Sequence, residues 1–213
     1  MDVEGYTMWV VGGSLLVAAP QVPPHHVREV LATLDQAQRC ARGSMGARFQ
    51  SPQRWFRACR RALADQGWNV AHSCQSVESS KQCGLISPLQ PLLLWLGAVH
   101  PEHADLLDRC VAALDPAQPA LAQLSRRGLQ RSDSGSRLMV ELGLILSGPT
   151  LSLCHVALDI DLPVGTDWLL TPFPGALLRG DISFQGAMFE PGPLLSGLPG
   201  GPHPGLPVSR TLH

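Results

Sequence analysis

Residues 137–147 read RLMVELGLILS, and residues 151–162 read LSLCHVALDIDL. In the first run Leu138, Val140, Leu142, Leu144 and Leu146 fall at every second position, with Glu141 and Gly143 between them. A period of two is the signature of a strand, because successive side chains point to opposite faces. Ser147, Gly148, Pro149 and Thr150 separate the runs and carry turn chemistry. Two extended runs around a short Gly-containing turn predict an antiparallel hairpin. A third strand is expected at 181–189, where Ile182, Phe184 and Met188 share a face.

Upstream of residue 131 the spacing changes to three and four. Val27, Val30, Leu31, Leu34 and Ala37 form one apolar stripe, predicting a helix over 24–42. Ser51 and Pro52 open a second helix over 51–67, with Trp55, Phe56, Cys59, Ala62 and Leu63 inward and Gly67 at its end. Further helices are expected over 88–99, 101–115 and 120–130. Residues 73–84 are rich in Ser, Gln and Cys and read as a loop. The reading is therefore an α+β domain over 1–190: a helical N-terminal two-thirds packed on a small antiparallel β-hairpin sheet. Residues 191–213, dense in Pro and Gly, are expected to be a disordered or loosely packed tail.

The chain has 213 residues, enough for one large domain with a real core. Sixteen basic and seventeen acidic residues leave a net charge of −1, so no global field draws in nucleic acid. Residues 8–19, MWVVGGSLLVAA, are apolar but shorter than the ~20 residues of a membrane span. Asp2 and Glu4 precede them where a secretion signal would carry positive charge. A buried strand, a helix start and a segment that inserts transiently into a membrane all fit. The expectation is a soluble, cytoplasmic protein, with leaderless export left open.

Candidate chemistry is sparse. Cys154 and His155 suggest a nucleophile and its base, but strand neighbours point apart. His155, Asp159 and Asp161 share a face, as an acid–base or metal half-site would, or as the solvated face of a hairpin would. His100 and His103, at helical i, i+3 spacing, are weak metal candidates lacking an evident third ligand. Cys74 and Cys83, nine apart in the polar stretch, are candidates for a disulfide or for acylation. Arg54, Arg57, Arg60 and Arg61 make a local basic face without aromatic partners for RNA. No phosphate loop or nucleophile elbow occurs, and no cofactor is expected.

One pattern is familiar. LLVAAP over 15–20, then Val27-x-x-Val30-Leu31 with Ala37-Gln38, then Trp55-x-x-x-Cys59-x-x-x-Leu63-x-x-x-Gly67-Trp68, resembles a set of uncharacterised bacterial α+β proteins. Cys59 stands where those have Tyr. The resemblance implies a bacterial origin and, for some members, an accessory role in competition or host association; it carries no catalytic residue. These readings favour a protein that acts by binding, to a protein partner or a membrane surface, as an accessory or virulence factor. The alternative is a cofactor-free hydrolase or transferase built on Cys154, or on His155 with Asp159.

Overall fold

The computed structural model of the chain describes residues 2–3, 5–78, 84–148 and 150–192. Its elements run β1 (Asp2–Val3), β2 (Tyr6–Val11), β3 (Ser14–Ala18), α1 (Pro24–Met45), α2 (Pro52–Asp65), β4 (Trp68–Glu78), β5 (Leu85–Ile86) and α3 (Gln90–Val99). A 3-10 turn, Pro101–His103, leads into α4 (Ala104–Ala112) and α5 (Pro119–Arg127). Then come β6 (Leu129–Ser132), β7 (Gly135–Leu146), β8 (Thr150–Ile160), β9 (Phe173–Pro174) and β10 (Ile182–Pro191).

Eight strands form one sheet in the order β1-β2-β3-β7-β8-β10-β4, with β6 paired to part of β7. Neighbours are antiparallel except β3 and β7, which are parallel with Ser14 opposite Glu141. β5 and β9 make a separate two-stranded pair. The expected helical two-thirds on a small hairpin is thus overturned: a wide mixed sheet spans the chain, and helices cover both of its faces. Two stretches account for the difference. Residues 8–19 supply most of β2 and all of β3, and the first half of the polar stretch expected to be a loop, 73–78, lies in β4, while 79–83 lie outside the described residues. Pro191, expected to begin the tail, closes β10. Residues 193–213 lie outside the described residues.

The layers follow from the alternation. Even-numbered residues of β7 and β8, among them Leu142, Leu144, Cys154 and Val156, meet Leu92 and Leu96 of α3, Leu107 and Cys110 of α4, and Leu121 and Leu124 of α5. The odd-numbered face, with Ile145, Leu151 and Leu153, meets Val30, Leu34 and Ala37 of α1 and Trp55, Phe56, Cys59 and Leu63 of α2. β7 and β8 therefore read as nearly continuous apolar runs because both faces are covered. Trp168 closes one side of the first core and donates from Nε1 to the Ser125 carbonyl at 2.9 Å.

The β6–β7 hairpin turns at Gly135, whose φ of +149° lies outside the range of L side chains. A Cβ there would stand 2.1 Å from the Ile160 carbonyl oxygen. Gly135→Ala is expected to cost about 3 kcal/mol, from strain and from a clash with backbone that cannot yield. Urea titration followed by far-ultraviolet dichroism reads this directly; a loss below ~1 kcal/mol would mean the hairpin re-forms around the methyl.

Candidate functional site

Cys154 lies in the middle of β8, 0% exposed. Its thiol donates to the Leu142 carbonyl at 3.3 Å, and burial pushes it well above the usual thiol range. A nucleophile needs the thiolate and an approach path, and this environment supplies neither. His155 points to the opposite face, 1% exposed, its ring stacked on Phe56 with centroids 5.4 Å apart. Burial pushes His155 down to about 3, and the Arg48 guanidinium acts in the same direction.

Asp159 is not beside His155. Four residues of strand separate them, or about 13 Å, and Arg137 grips Asp159 through two hydrogen bonds of 2.6 and 2.8 Å. That grip holds the Arg137 guanidinium above its ordinary range, with burial opposing. Asp161 pairs with Arg179. The face expected to be solvated at His155 lies under α1 and α2 instead.

His100 Nε2 is 2.7 Å from Ser152 Oγ, and burial lowers its basicity. His103 Nδ1 is 2.7 Å from the Tyr6 hydroxyl. Among the described residues no group of three His, Cys, Asp or Glu side chains is placed to hold a metal ion. Cys74 is half-buried on β4, and its thiol is raised, chiefly by burial. Cys83 lies outside the described residues.

Pairing assembles a set of residues that spacing alone does not reveal. Ser14 lies opposite Glu141, Glu141 opposite His155, His155 opposite Gln185, and Gln185 opposite Gln75. At about 4.8 Å per strand this polar row crosses roughly 19 Å of sheet. Gln38 of α1 reaches down to it, donating from Nε2 to Ser14 Oγ at 2.7 Å and Glu141 Oε2 at 3.1 Å. Ser14 also donates to Glu141 Oε2. Arg48, after α1, donates to the Met139 carbonyl at 2.9 Å and lies over the Trp55 ring. Burial raises the Glu141 carboxyl and lowers the Arg48 guanidinium. Glu141 Oε1, both His155 nitrogens, both Gln185 amide atoms and Arg48 Nε are buried with no hydrogen-bond partner among the described residues. From Ser14 to Gln185 this row is buried and joins the sheet to the α1–α2 layer; only Gln75, at its β4 end, is exposed.

The accessible feature is the outer strand. β4 pairs with β10 on one side only and is the sheet's last strand. Asn69, Val70, Ala71, His72 and Ser73 are all exposed, so both faces of β4 stand in solvent there. Beside its far end, on the α3 face, lies an apolar groove of about 380 Å³, lined by Ser76, Leu85, Leu94, Trp95, Ile182 and Phe184. Leu85 and Leu94 are 74% and 64% exposed at its lip. On the opposite face α2 runs alongside β4. Gln53 in its first turn donates to Ser183 of β10, which lies opposite Val77, and its end leads straight into Trp68.

No protein-family model matches the chain, and no curated protein matches it. Solved structures do so at a distance. A delta-endotoxin superposes with a TM-score of 0.40 at 9% identity, over 92% of this chain and 92% of that one. The activated Cyt2Ba monomer from Bacillus thuringiensis subsp. israelensis gives 0.37 at 8% identity, over 83% of this chain and 96% of that one. The Evf virulence factor gives 0.28 at 7%, over 88% and 74%. These are toxin and virulence-factor structures, and the likeness is distant in all three. Among the described residues, no helix is long and apolar enough to cross a membrane.

Proposed function

We propose that the chain acts by binding, taking up an extended segment of a protein partner along the free edge of β4. The observation that carries this is an eleven-residue outer strand, exposed over most of its length and without Lys, Arg or Pro. Natural sheets guard such edges with those residues, with bulges or with covering elements, because alternate N–H and C=O groups there point outward unpaired; β4 has one register shift, at Ala71, and from His72 to Glu78 it pairs with β10 in regular register. A strand added at such an edge gains main-chain hydrogen bonds, and adjoining pockets read its side chains. The groove at Leu85, Leu94 and Trp95 supplies such a pocket. A polypeptide suits this edge better than a lipid surface does, since hydrocarbon leaves edge amides unpaired at several kcal/mol each. An accessory role in bacterial competition or host association, implied by the sequence resemblance, belongs to the same proposal.

Proline tests it. Alternate residues of an edge strand direct their N–H outward, so of Ser73→Pro and Cys74→Pro one removes only an outward donor. A labelled ten-residue peptide alternating Thr and Val is the probe, read by fluorescence anisotropy. The outward variant is expected to keep the wild-type dichroism spectrum and bind about tenfold or more weakly. Equal binding by both proline variants would remove the edge from the mechanism.

A further inference from the structure

We infer that the segment taken up by β4 is the β4 of a second copy, so that two chains join through their outer strands about a two-fold axis at Gln75. This rests on the edge-binding proposal and names the partner. Five large apolar side chains are exposed among the described residues, and four of them, Val70, Val77, Leu85 and Leu94, lie on β4 or on the lip of the groove beside it. The fifth, Leu162, lies beyond the end of β8. Apolar side chains scattered singly over a surface are ordinary, whereas a cluster in one place marks a contact surface.

The register follows from the strand itself. Its regular pairing with β10 runs from His72 to Glu78, and the midpoint of that stretch is Gln75. Antiparallel pairing of the stretch with its twin about this midpoint sets position 75 against 75, Cys74 against Ser76, Ser73 against Val77, and His72 against position 78, a Glu. No like charges meet in that alignment, and the one acidic position faces an imidazole. The Gln75 side chain is exposed in the single chain. It carries both an amide donor and a carbonyl acceptor, so two of them satisfy each other across the axis. An axis perpendicular to the sheet keeps the α3 faces of the two copies on one side. Cys74 packs on the α3 core and Ser76 lines the groove, so the two grooves come together there. Their Ser76 rims stand about 8 Å apart, two residues along the strand and one strand across. The exposed Leu85 and Leu94 of both copies thus share one stretch of surface, and on the α2 face each Val77 lies beside the other copy's Ser73. An unrelated extended peptide makes the same main-chain bonds but brings no second pair of leucines to the groove. The contact is isologous, so it closes at two chains.

Sedimentation equilibrium of the full chain tests this. The mass is expected to rise from one chain toward two as the concentration increases to about 200 μM. Gln75→Lys and Gln75→Glu each place like charges on the axis and weaken the dimer about fivefold at low salt. An equimolar mixture of these two variants sets Lys against Glu and recovers wild-type association to within about twofold. The outward proline variant stays at one chain. A mass that stays at one chain throughout, with the alternating Thr and Val peptide still bound, overturns this inference and leaves the edge-binding reading standing. Absence of both self-association and peptide binding overturns both. A dimer that survives the outward proline substitution, or a mixture that associates no better than the two variants alone, puts the contact elsewhere and overturns this inference. Growth past two chains does the same, because pairing about the axis leaves no further β4 edge.

Discussion

Lowering the pH from 7 to 4 is expected to cost the wild-type protein about 3 kcal/mol more stability than it costs a His155→Leu variant. In the folded chain His155 is held neutral down to about 3, first by burial and then by Arg48. In the unfolded chain it takes up a proton near its ordinary value of 6.5. Between these values the unfolded state binds more protons. The stability tied to the neutral ring is fully present above 6.5 and is lost progressively as pH falls toward 3, to a total of about 5 kcal/mol. The groups facing His155 are Glu141 and Gln185 on its flanking strands and Phe56 from α2, with the Arg48 charge, after α1, acting on it. Glu141 regains its proton over part of the same window and steadies the fold there, but it does so in both proteins. Urea titrations at pH 7, 5.5 and 4 check the difference, and a gap that stays constant across them would mean that His155 titrates as a solvated ring.

Glu141 gives the second large effect, and its sign is opposite. Burial raises its carboxyl, so the folded state holds a proton that the unfolded state releases above the ordinary value of 4.5. Stability is lost as pH rises from there through the folded value. Glu141→Gln removes that penalty while its side-chain oxygen still accepts from Ser14 and Gln38. It is expected to be at least as stable as wild type at pH 7, with a flatter profile from pH 4.5 upward. Glu141→Leu leaves the Ser14 hydroxyl buried without an acceptor and takes from the Gln38 amide one of its two, Ser14 Oγ remaining, and is expected to cost about 2–3 kcal/mol. Were the Leu variant as stable as the Gln variant, the polar row would not be holding α1 to the sheet.

How much of this was legible before the structure depends on burial. The period of two in 137–147 marks β7, and the helical stripes at Val27–Ala37 spacing and Trp55–Leu63 spacing mark α1 and α2, because each sorts polar from apolar on a helix or strand. Residues 8–19 sort nothing: β3 is buried on both faces, and a short apolar run of that kind suits strand or helix equally. β4 fails for the reverse reason. It is exposed on both faces, so WNVAHSCQSVE shows no alternation and resembles a loop.

The adjacency of Cys154 and His155 did show that they part to opposite faces. The solvated reading of the His155 face failed because that face is roofed. A clue was available, since Leu151, Leu153 and Ala157 lie on it, and the apolar stripes of α1 and α2 needed a surface to cover. The polar row was invisible for a different reason. Ser14, Glu141, His155 and Gln185 come from four strands, and only register brings them into line.

The strand order β8-β10-β4 also has a consequence for how the protein is made. β10 sits between two partners, yet among the strands of the described residues it leaves the ribosome last. β4 emerges roughly 100 residues earlier, and at about 5–20 residues per second it waits several seconds or more for its neighbour. In the last part of that interval, once β8 (Thr150–Ile160) has emerged, it too lacks one partner, so the nascent chain carries two open edges where the finished sheet carries one on that side. A chaperone that shields strand edges therefore has its work set by the arrival of ten residues, Ile182–Pro191.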